Sequence, residues 1–202
     1  EEIRFYQKDT VDFKNRYYFL TPDNLFPCRK NLVSFLNRII ASDLRINYAV
    51  QISIEVADDE ELLRLIRASG GTHFFIGLES LDMRNLQHIN KHIVPDIEKS
   101  GMSVADYYTA KIKRIHAHGI SIHGSFIIGL PYDYYKSPTD NTGVDITNFC
   151  VKNRIGAQPS TIVDIPGSVF FNESQENNRY IYGKKGTMDY FLSLCIADLA
   201  ET

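Results

Sequence analysis

Glu55 and Glu79 stand at the ends of successive apolar segments, and further polar residues follow each of them closely. Two carboxylates brought to the same end of neighbouring strands can share acid and base work, as in glycoside hydrolysis, or can hold a polar ligand. The residues before Glu79, Thr72-His73-Phe74-Phe75-Ile76-Gly77-Leu78, form a β-prone run that ends in a glycine, a leucine and then the acid. Packing alone gives a buried strand no reason to finish in that way. Other groups with chemical potential fit plainer roles. His88 and His92 lie four apart on an expected helix, a spacing that suits a metal, but no third ligand accompanies them. His116 and His118 flank an expected helix C-terminus, where the dipole favours them. Gly183-Lys184-Lys185-Gly186 has the look of a phosphate loop without the strand that would have to precede it. Cys28, Cys150 and Cys195 are odd in number and far apart, which suggests neither a disulfide framework nor a metal knuckle.

Segments that alternate between strand and helix character must position these groups. Tyr17-Tyr18-Phe19-Leu20 has strand character and stops at Thr21-Pro22-Asp23-Asn24, and Leu32, Val33, Leu36, Ile39 and Ile40 follow at helical spacing. Tyr48 to Val56 alternates strictly and is rich in β-branched residues, which predicts a strand. Asp58-Asp59-Glu60-Glu61 opens a helix with Leu62, Leu63 and Ile66 on one face, and Gly70-Gly71 closes it. The strand ending at Glu79 comes next, then a helix capped by Ser80 or Asp82 that carries Met83, Leu86 and Ile89. A looser stretch around Pro95 and Gly101 leads to a helix with Val104, Tyr108, Ile112 and Ile115 along one side, stopped by Gly119. Ile120 to Asp133 contains a further strand, a helix covers Ile146, Phe149 and Cys150, and Ser160 to Ile165 is the last strand. Residues 172–186 are expected as loop, and a final helix carries Met188, Phe191, Leu192, Cys195 and Leu199. Such alternation predicts right-handed βαβ units and a parallel sheet: an α/β protein, either an open doubly wound sheet or part of a (β/α) barrel.

The faces of the strands narrow this choice. Val50, Ile52, Ile54 and Val56 share one face of their strand, and Gln51, Ser53 and Glu55 the other. Phe74, Ile76 and Leu78 oppose His73, Phe75, Gly77 and Glu79, while Ile122, Phe126, Ile128 and Leu130 oppose His123, Ser125, Ile127 and Gly129. Strands buried in a parallel sheet are normally apolar on both sides, so three polar faces imply a wet or ligand-filled interior and favour a barrel. Asp23, Asn24, Glu55, Glu79, Ser80, Asp133 and Asp164 gather at strand C-terminal ends, the rim where α/β barrels build their sites. Gly77 and Gly129, just before that rim, would let a ligand lie against the backbone. Any one of these acids can equally cap the helix after it. As a set, with the polar faces, they predict a ligand site.

Composition bounds the rest. The chain has 202 residues, 44% of them hydrophobic and 23% charged, as in an ordinary globular protein of one domain. A net charge of −3 offers no electrostatic case for nucleic acid or an acidic membrane surface. No apolar run approaches the roughly 20 residues that cross a bilayer, and no signal pattern opens the chain, so a reducing, cytoplasmic setting is expected. Asn172-Glu173-Ser174 matches a glycosylation sequon that this setting leaves unused. Of the 12 tyrosines, Tyr132, Tyr134 and Tyr135 crowd one turn, where they could form a lid over the rim but more simply serve as packing.

Phe75 to Lys91, with its Phe-Ile-Gly-Leu-Glu-Ser-Leu-Asp start, and His116 to Asp133 resemble the later strands of the radical S-adenosylmethionine superfamily. Tyr18 to Phe26 is similar to that family's second strand. Gln51 to Gly70 and Asp164 to Phe171 look like the subgroup that often carries an upstream cobalamin-binding domain. The likeness runs in order from Tyr17 to Phe171, leaving residues 172–202 as a C-terminal loop and helix of the same domain. It implies a partial (β/α) barrel that binds S-adenosylmethionine and a 4Fe–4S cluster, whose radical chemistry the protein positions and shields. By position, Asp23 would approach the methionine amino group, and Ser53, Glu79 and Ser80 the ribose and carboxylate. Gly77 would lie beside them. Backbone near Ile127–Gly129 and Ile162–Asp164 would line the adenine, and Gln51, Glu55, His123 and Ser125 would face substrate.

The resemblance has one large departure. The family holds its cluster with a CxxxCxxC loop after the first strand, and that spacing is absent here. The second strand also comes almost at once, so the first βα unit is expected to be missing, by truncation or degeneration. The expectation is a catalytically inactive polypeptide without a cluster, prone to self-association through an exposed barrel edge. Two alternatives stay open: a non-catalytic barrel-shaped binding module, and a glycoside hydrolase using Glu55 and Glu79.

Overall fold

Strands form where the sequence alternates, and the helices between them bury the stripes that their spacing defines. The computed structural model describes residues 17–20, 28–42, 44, 46–162 and 172. Strand β1 (Tyr17–Leu20) precedes helix α1 (Arg29–Ile40), which buries Leu32, Leu36 and Ile39. Strand β2 (Asn47–Gln51) gives way to a short 3₁₀ turn (Ile54–Asp58), and helix α2 (Glu60–Ala68) leads to strand β3 (Gly71–Glu79). Helices α3 (Met83–His88), α4 (Val94–Ser100) and α5 (Val104–Ala117) come before strand β4 (Ser121–Ile128). A small antiparallel hairpin, β5 (Tyr135–Ser137) with β6 (Asp140–Asn141), precedes helix α6 (Thr142–Asn153) and strand β7 (Gly156–Thr161).

β1, β2, β3, β4 and β7 make one five-stranded sheet in that order, with every pairing parallel. This is the α/β architecture that the alternation predicts. The sheet stays open among the described residues and does not close into a barrel. No described helix is long and apolar enough to cross a membrane.

Local chemistry accounts for most boundaries. Asp59 caps α2 by accepting from the Leu62 amide at 3.0 Å, and Glu60 and Glu61 add charge that the helix N-terminus favours. Arg29 of α1 clamps Asp59 at 2.5 Å and Glu61 at 2.6 Å, so α1 and α2 are tied at their starts. Asp82, Ser103 and Asn141 cap α3, α5 and α6 in the same way. Gly70, at φ +101, cannot be anything else: a Cβ there would lie 1.8 Å from the Ile46 carbonyl oxygen.

One contiguous core lies between the sheet and its helices. Tyr48, Val50, Phe74, Ile76, Leu78, Ile122 and Phe126 meet Leu36, Leu62, Leu63, Ile66, Tyr108, Ile112 and Ile115 there. Each such side chain contributes about 1.5–3 kcal/mol by leaving water. The other face of the sheet remains partly accessible at His73, Phe75, Gly77, His123, Ser125 and Ile127, which is the polar face expected from the alternation.

Several elements differ from expectation. The strand predicted over Tyr48–Val56 ends at Gln51, although Ile52 still donates to the Phe75 carbonyl. Ile54 and Val56 are buried as expected, but from the 3₁₀ turn packed under α5. An i, i+2 pattern of burial suits either conformation. The last described strand starts earlier than the expected Ser160, spanning Gly156–Thr161, and residues 163–165 of the expectation lie outside the described residues; Pro159 is tolerated because β7 is an edge of the sheet among the described residues. The looser stretch holds a real helix, α4, with Pro95 in its first turn and left-handed Gly101 ending it. The expectations for Thr21–Asn24, for residues 163–171 and for the C-terminal loop and helix lie outside the described residues.

Candidate functional site

The C-terminal end of β3 carries the unusual backbone. β3 and β4 slip register between Gly77 and Glu79, and Glu79 takes the left-handed conformation at φ +66, which costs an L-residue about 1–2 kcal/mol. The Leu78 carbonyl, at the centre of this bulge, accepts from the Tyr108 hydroxyl and the Ser80 amide, both at 2.9 Å. Those two bonds hold the bulge against α5. The Glu79 carboxylate lies back over Gly77, where a Cβ would sit 2.3 Å from Oε1, and it accepts from Lys91 Nζ at 3.0 Å.

A cavity of about 130 Å³ opens beside this pair, lined by Gln51, Ser53, Glu55, Gly77, Glu79, Lys91 and His92, with Ile52, Ile54 and Ile93 as its apolar wall. Glu55 pairs through Oε1 with His92 Nε2, while its Oε2 is buried without a hydrogen-bond partner. A buried, unmatched acceptor costs about 1–3 kcal/mol. Burial, with Glu79 and Glu55 nearby, pushes the Tyr108 phenol far above its ordinary range, which places both carboxylates in one electrostatic neighbourhood.

The open face of the sheet continues from the cavity as a row of rings. Phe19 meets Phe75 edge-on at 5.2 Å, and Phe75 stacks on His123 at 5.3 Å. His73 lies 5.0 Å from Phe75 and 6.1 Å from His123. The Ser121 hydroxyl lies 3.0 Å from the Thr72 carbonyl oxygen, to which it can donate, and 2.6 Å from His73 Nδ1. Burial and the neighbouring His123 hold the His73 imidazole below its ordinary range.

Of the residues named from the sequence, Ser53, Gly77 and Glu79 from the expected cofactor set and Gln51 and Glu55 from the expected substrate set line this one cavity. His123 and Ser125 share the same sheet face without lining the cavity. Ser80 is buried below the rim, its hydroxyl accepting from the Asp82 amide and from Asn85. Ile127 pairs with Ser160, and Gly129 lies beside Ile162, at the same C-terminal end of the strands but toward the β7 edge of the sheet. Asp23 and Asp164 lie outside the described residues.

His88 and His92 do not share a helix: His88 ends α3, and His92 follows in the next turn. Among the described residues no group of three or more His, Cys, Asp or Glu side chains is arranged for a metal. Tyr132, Tyr134 and Tyr135 line no part of the cavity; Tyr134 donates to Asp145 at 2.7 Å and Arg84 covers the Tyr132 ring.

Lys91 and His92 also line the cavity, although the sequence offered Lys91 only as the end of the resembling stretch and His92 only as a metal-spaced partner of His88, and nothing local connects them to Glu79 and Glu55. Asn85, fully buried and outside the cavity, is a structural residue that the sequence did not single out. Its amide nitrogen donates to Asp133 at 2.9 Å and its oxygen accepts from the Tyr132 amide at 2.9 Å. Asp133 in turn accepts from the Gly129 and Leu130 amides, and burial holds its carboxyl above the usual range. This clasp joins the turns after β3 and β4, so Asp133 serves the scaffold and not the cavity.

No protein-family profile matches the chain. Among curated proteins it is similar to the bacteriochlorophyllide d C-12(1)-methyltransferase of Chlorobaculum tepidum, at 27% identity over 192 residues, 94% of this chain and 38% of that protein. The bacteriochlorophyllide d C-8(2)-methyltransferase of the same organism is 25% identical over 178 residues, 88% of this chain and 36% of its own length. Among solved structures the chain resembles a radical S-adenosylmethionine methyltransferase, TsrM, from Kitasatospora setae, determined with cobalamin and a 4Fe–4S cluster bound. That match has a TM-score of 0.59 at 15% identity and covers 88% of this chain and 34% of the other. The chain thus spans little more than a third of each of these proteins, and with TsrM it shares the fold of the stretch it covers.

Proposed function

We propose that this chain forms the S-adenosylmethionine-binding wall of a radical S-adenosylmethionine methyltransferase. Glu79 carries the reading: a strained backbone, a glycine beneath it and a lysine beside it present one carboxylate at the rim of a parallel sheet. Strain of this kind persists where a site requires it. The two methyltransferase relatives and the fold shared with TsrM support the same class of chemistry.

Glu79 and Ser53 would take ribose hydroxyls, the backbone from Ile127 to Gly129 would flank the adenine, and Gln51, His123 and Ser125 would face the substrate. Asp23 and Asp164 would complete the rim. S-adenosylmethionine fits the residues present, because the cavity offers acceptors, one ammonium donor and an unmatched carboxylate oxygen. When bound, it supplies the methyl or adenosyl group that the chemistry needs. A 4Fe–4S cluster does not fit the thiols of the described residues, since exposed Cys28 at the start of α1 and buried Cys150 within α6 belong to separate helices.

Calorimetric titration of the chain with S-adenosylmethionine tests the reading. Micromolar binding, weakened roughly tenfold or more by Glu79→Gln, is the expected result. No saturable binding, equal binding by the variant, or binding of a sugar in place of S-adenosylmethionine would overturn it.

A further inference from the structure

Glu79 owes its position to a turn that is strained on its own. The Ser80 amide donates to the Leu78 carbonyl at 2.9 Å and closes a three-residue turn around Glu79. With φ +66 at its centre, this is the rare form of such turns. Its geometry hinges on one peptide plane. The Leu78 carbonyl and the Glu79 amide share that plane, so turning the carbonyl changes φ at Glu79 and swings its side chain. The sheet does not fix the plane, because the register of β3 with β4 slips between Gly77 and Glu79 and gives Leu78 no partner. The Tyr108 hydroxyl, 30 residues on, supplies the second bond to this carbonyl, at 2.9 Å. Tyr108 is fully buried, and its helix is tied to the 3₁₀ turn through Lys111 and Arg114, which both pair with Asp58. Burial keeps the phenol protonated, so the hydroxyl remains a donor.

From this we infer that Tyr108 is a positioning residue, whose hydroxyl locks the Leu78–Glu79 peptide and so holds the Glu79 carboxylate over Gly77 at the cavity. The inference rests on the reading of the cavity as an S-adenosylmethionine site, but Tyr108 itself meets no ligand: it does not line the cavity and acts through the backbone. Phenylalanine fills the same space and removes only this bond. The turn then keeps the Ser80 bond alone, and the strain at Glu79 favours rotation of the peptide away from the positive φ. The carboxylate moves with it and leaves the place that Gly77 and Lys91 define. A hydroxyl that served packing alone would behave differently: its loss would lower stability and leave the geometry of Glu79 and the affinity of the folded chain as they were.

Tyr108→Phe is tested beside Tyr48→Phe, a control that removes an equally buried hydroxyl, bonded to Ser69 at 2.8 Å and outside the cavity. Three quantities are read: the melting temperature, the NMR amide-to-α-proton coupling and Cα shift of Glu79, which report its φ, and the calorimetric affinity for S-adenosylmethionine. Both variants are expected to fold and to melt lower than the unaltered chain. Only Tyr108→Phe should move the Glu79 signals, toward those of negative φ, and weaken binding roughly three- to tenfold, as the loss of one hydrogen bond implies. Added to Glu79→Gln it should weaken binding no further, since both changes act through one carboxylate. Unmoved Glu79 signals, unchanged affinity in Tyr108→Phe, or full additivity with Glu79→Gln overturns the role of Tyr108 while the cofactor reading stands. Equal weakening by Tyr48→Phe, or failure of Tyr108→Phe to fold, also overturns it, since the hydroxyl would then serve the core. Failure of the unaltered chain to bind S-adenosylmethionine removes the cofactor reading itself, and the Glu79 signals then decide the positioning role alone.

Discussion

Replacing Gly77 by alanine separates the site from the scaffold. The new methyl would lie 2.3 Å from Glu79 Oε1, 3.3 Å from its Cδ and 3.5 Å from Lys91 Nζ. These nearest atoms are all side-chain atoms, and Gly77 does not have a positive φ, so the strand itself accepts alanine. The carboxylate must move, and it gives up its present contact with Lys91. For a pair that is partly exposed, that contact is worth about 1 kcal/mol. Alanine also restricts the unfolded chain relative to glycine, which returns about 0.4–1 kcal/mol. Net stability should therefore stay within about 1 kcal/mol, a melting shift of no more than about 2–4 °C in a chain of this size. Affinity for S-adenosylmethionine should fall about tenfold or more, because the acceptor is displaced. Thermal melting by circular dichroism and calorimetric titration read the two quantities. A stability loss above about 3 kcal/mol would show that the backbone, and not the carboxylate, needs the glycine. Unchanged affinity would show that Glu79 is not what the ligand meets.

Glu79→Gly should relax the left-handed backbone, about 1–2 kcal/mol, and so offset the lost Lys91 contact. The variant is expected to melt close to the original while losing S-adenosylmethionine binding; a clear drop in melting temperature would refute the strain argument. Asn85→Ala removes the centre of the clasp and strands the Tyr132 amide and the Asp133 carboxyl, at a cost of about 2–4 kcal/mol read from the urea midpoint. A loss below about 1 kcal/mol would mean that the two turns are held by other contacts. His73 and His116 are both held below the ordinary value of 6.5 in the folded chain, chiefly by burial. Below pH 6.5 the unfolded chain therefore takes up protons that the folded one resists, and stability should fall as pH drops through that value. His73→Gln should flatten part of that fall in a pH series of urea melts, and an unchanged slope would refute its share.

Periodicity made most of the scaffold legible. Leu32, Leu36 and Ile39, and Val104, Tyr108, Ile112 and Ile115, are buried at the spacing that marked their helices. Alternation in the segments around Phe74 and Ile122 marked their buried and accessible faces. It failed at Ile54 and Val56 because burial at every second residue does not distinguish a strand from a 3₁₀ turn tucked under a helix. It also failed at the β5–β6 hairpin, whose strands of three and two residues are too short to carry a period.

What the sequence determined by itself was the parallel α/β plan, the polar side of its strands and the placing of Glu55, Gly77 and Glu79 at one rim, since these follow from local spacing and the two-residue repeat of a strand. Tertiary structure decided how those acids differ. The left-handed turn at Glu79, its lysine 12 residues on, the histidine that takes one oxygen of Glu55 and the Asn85 clasp join residues far apart in the chain. Charge answered across such distances depends on how helices pack on the sheet, and no local pattern encodes it.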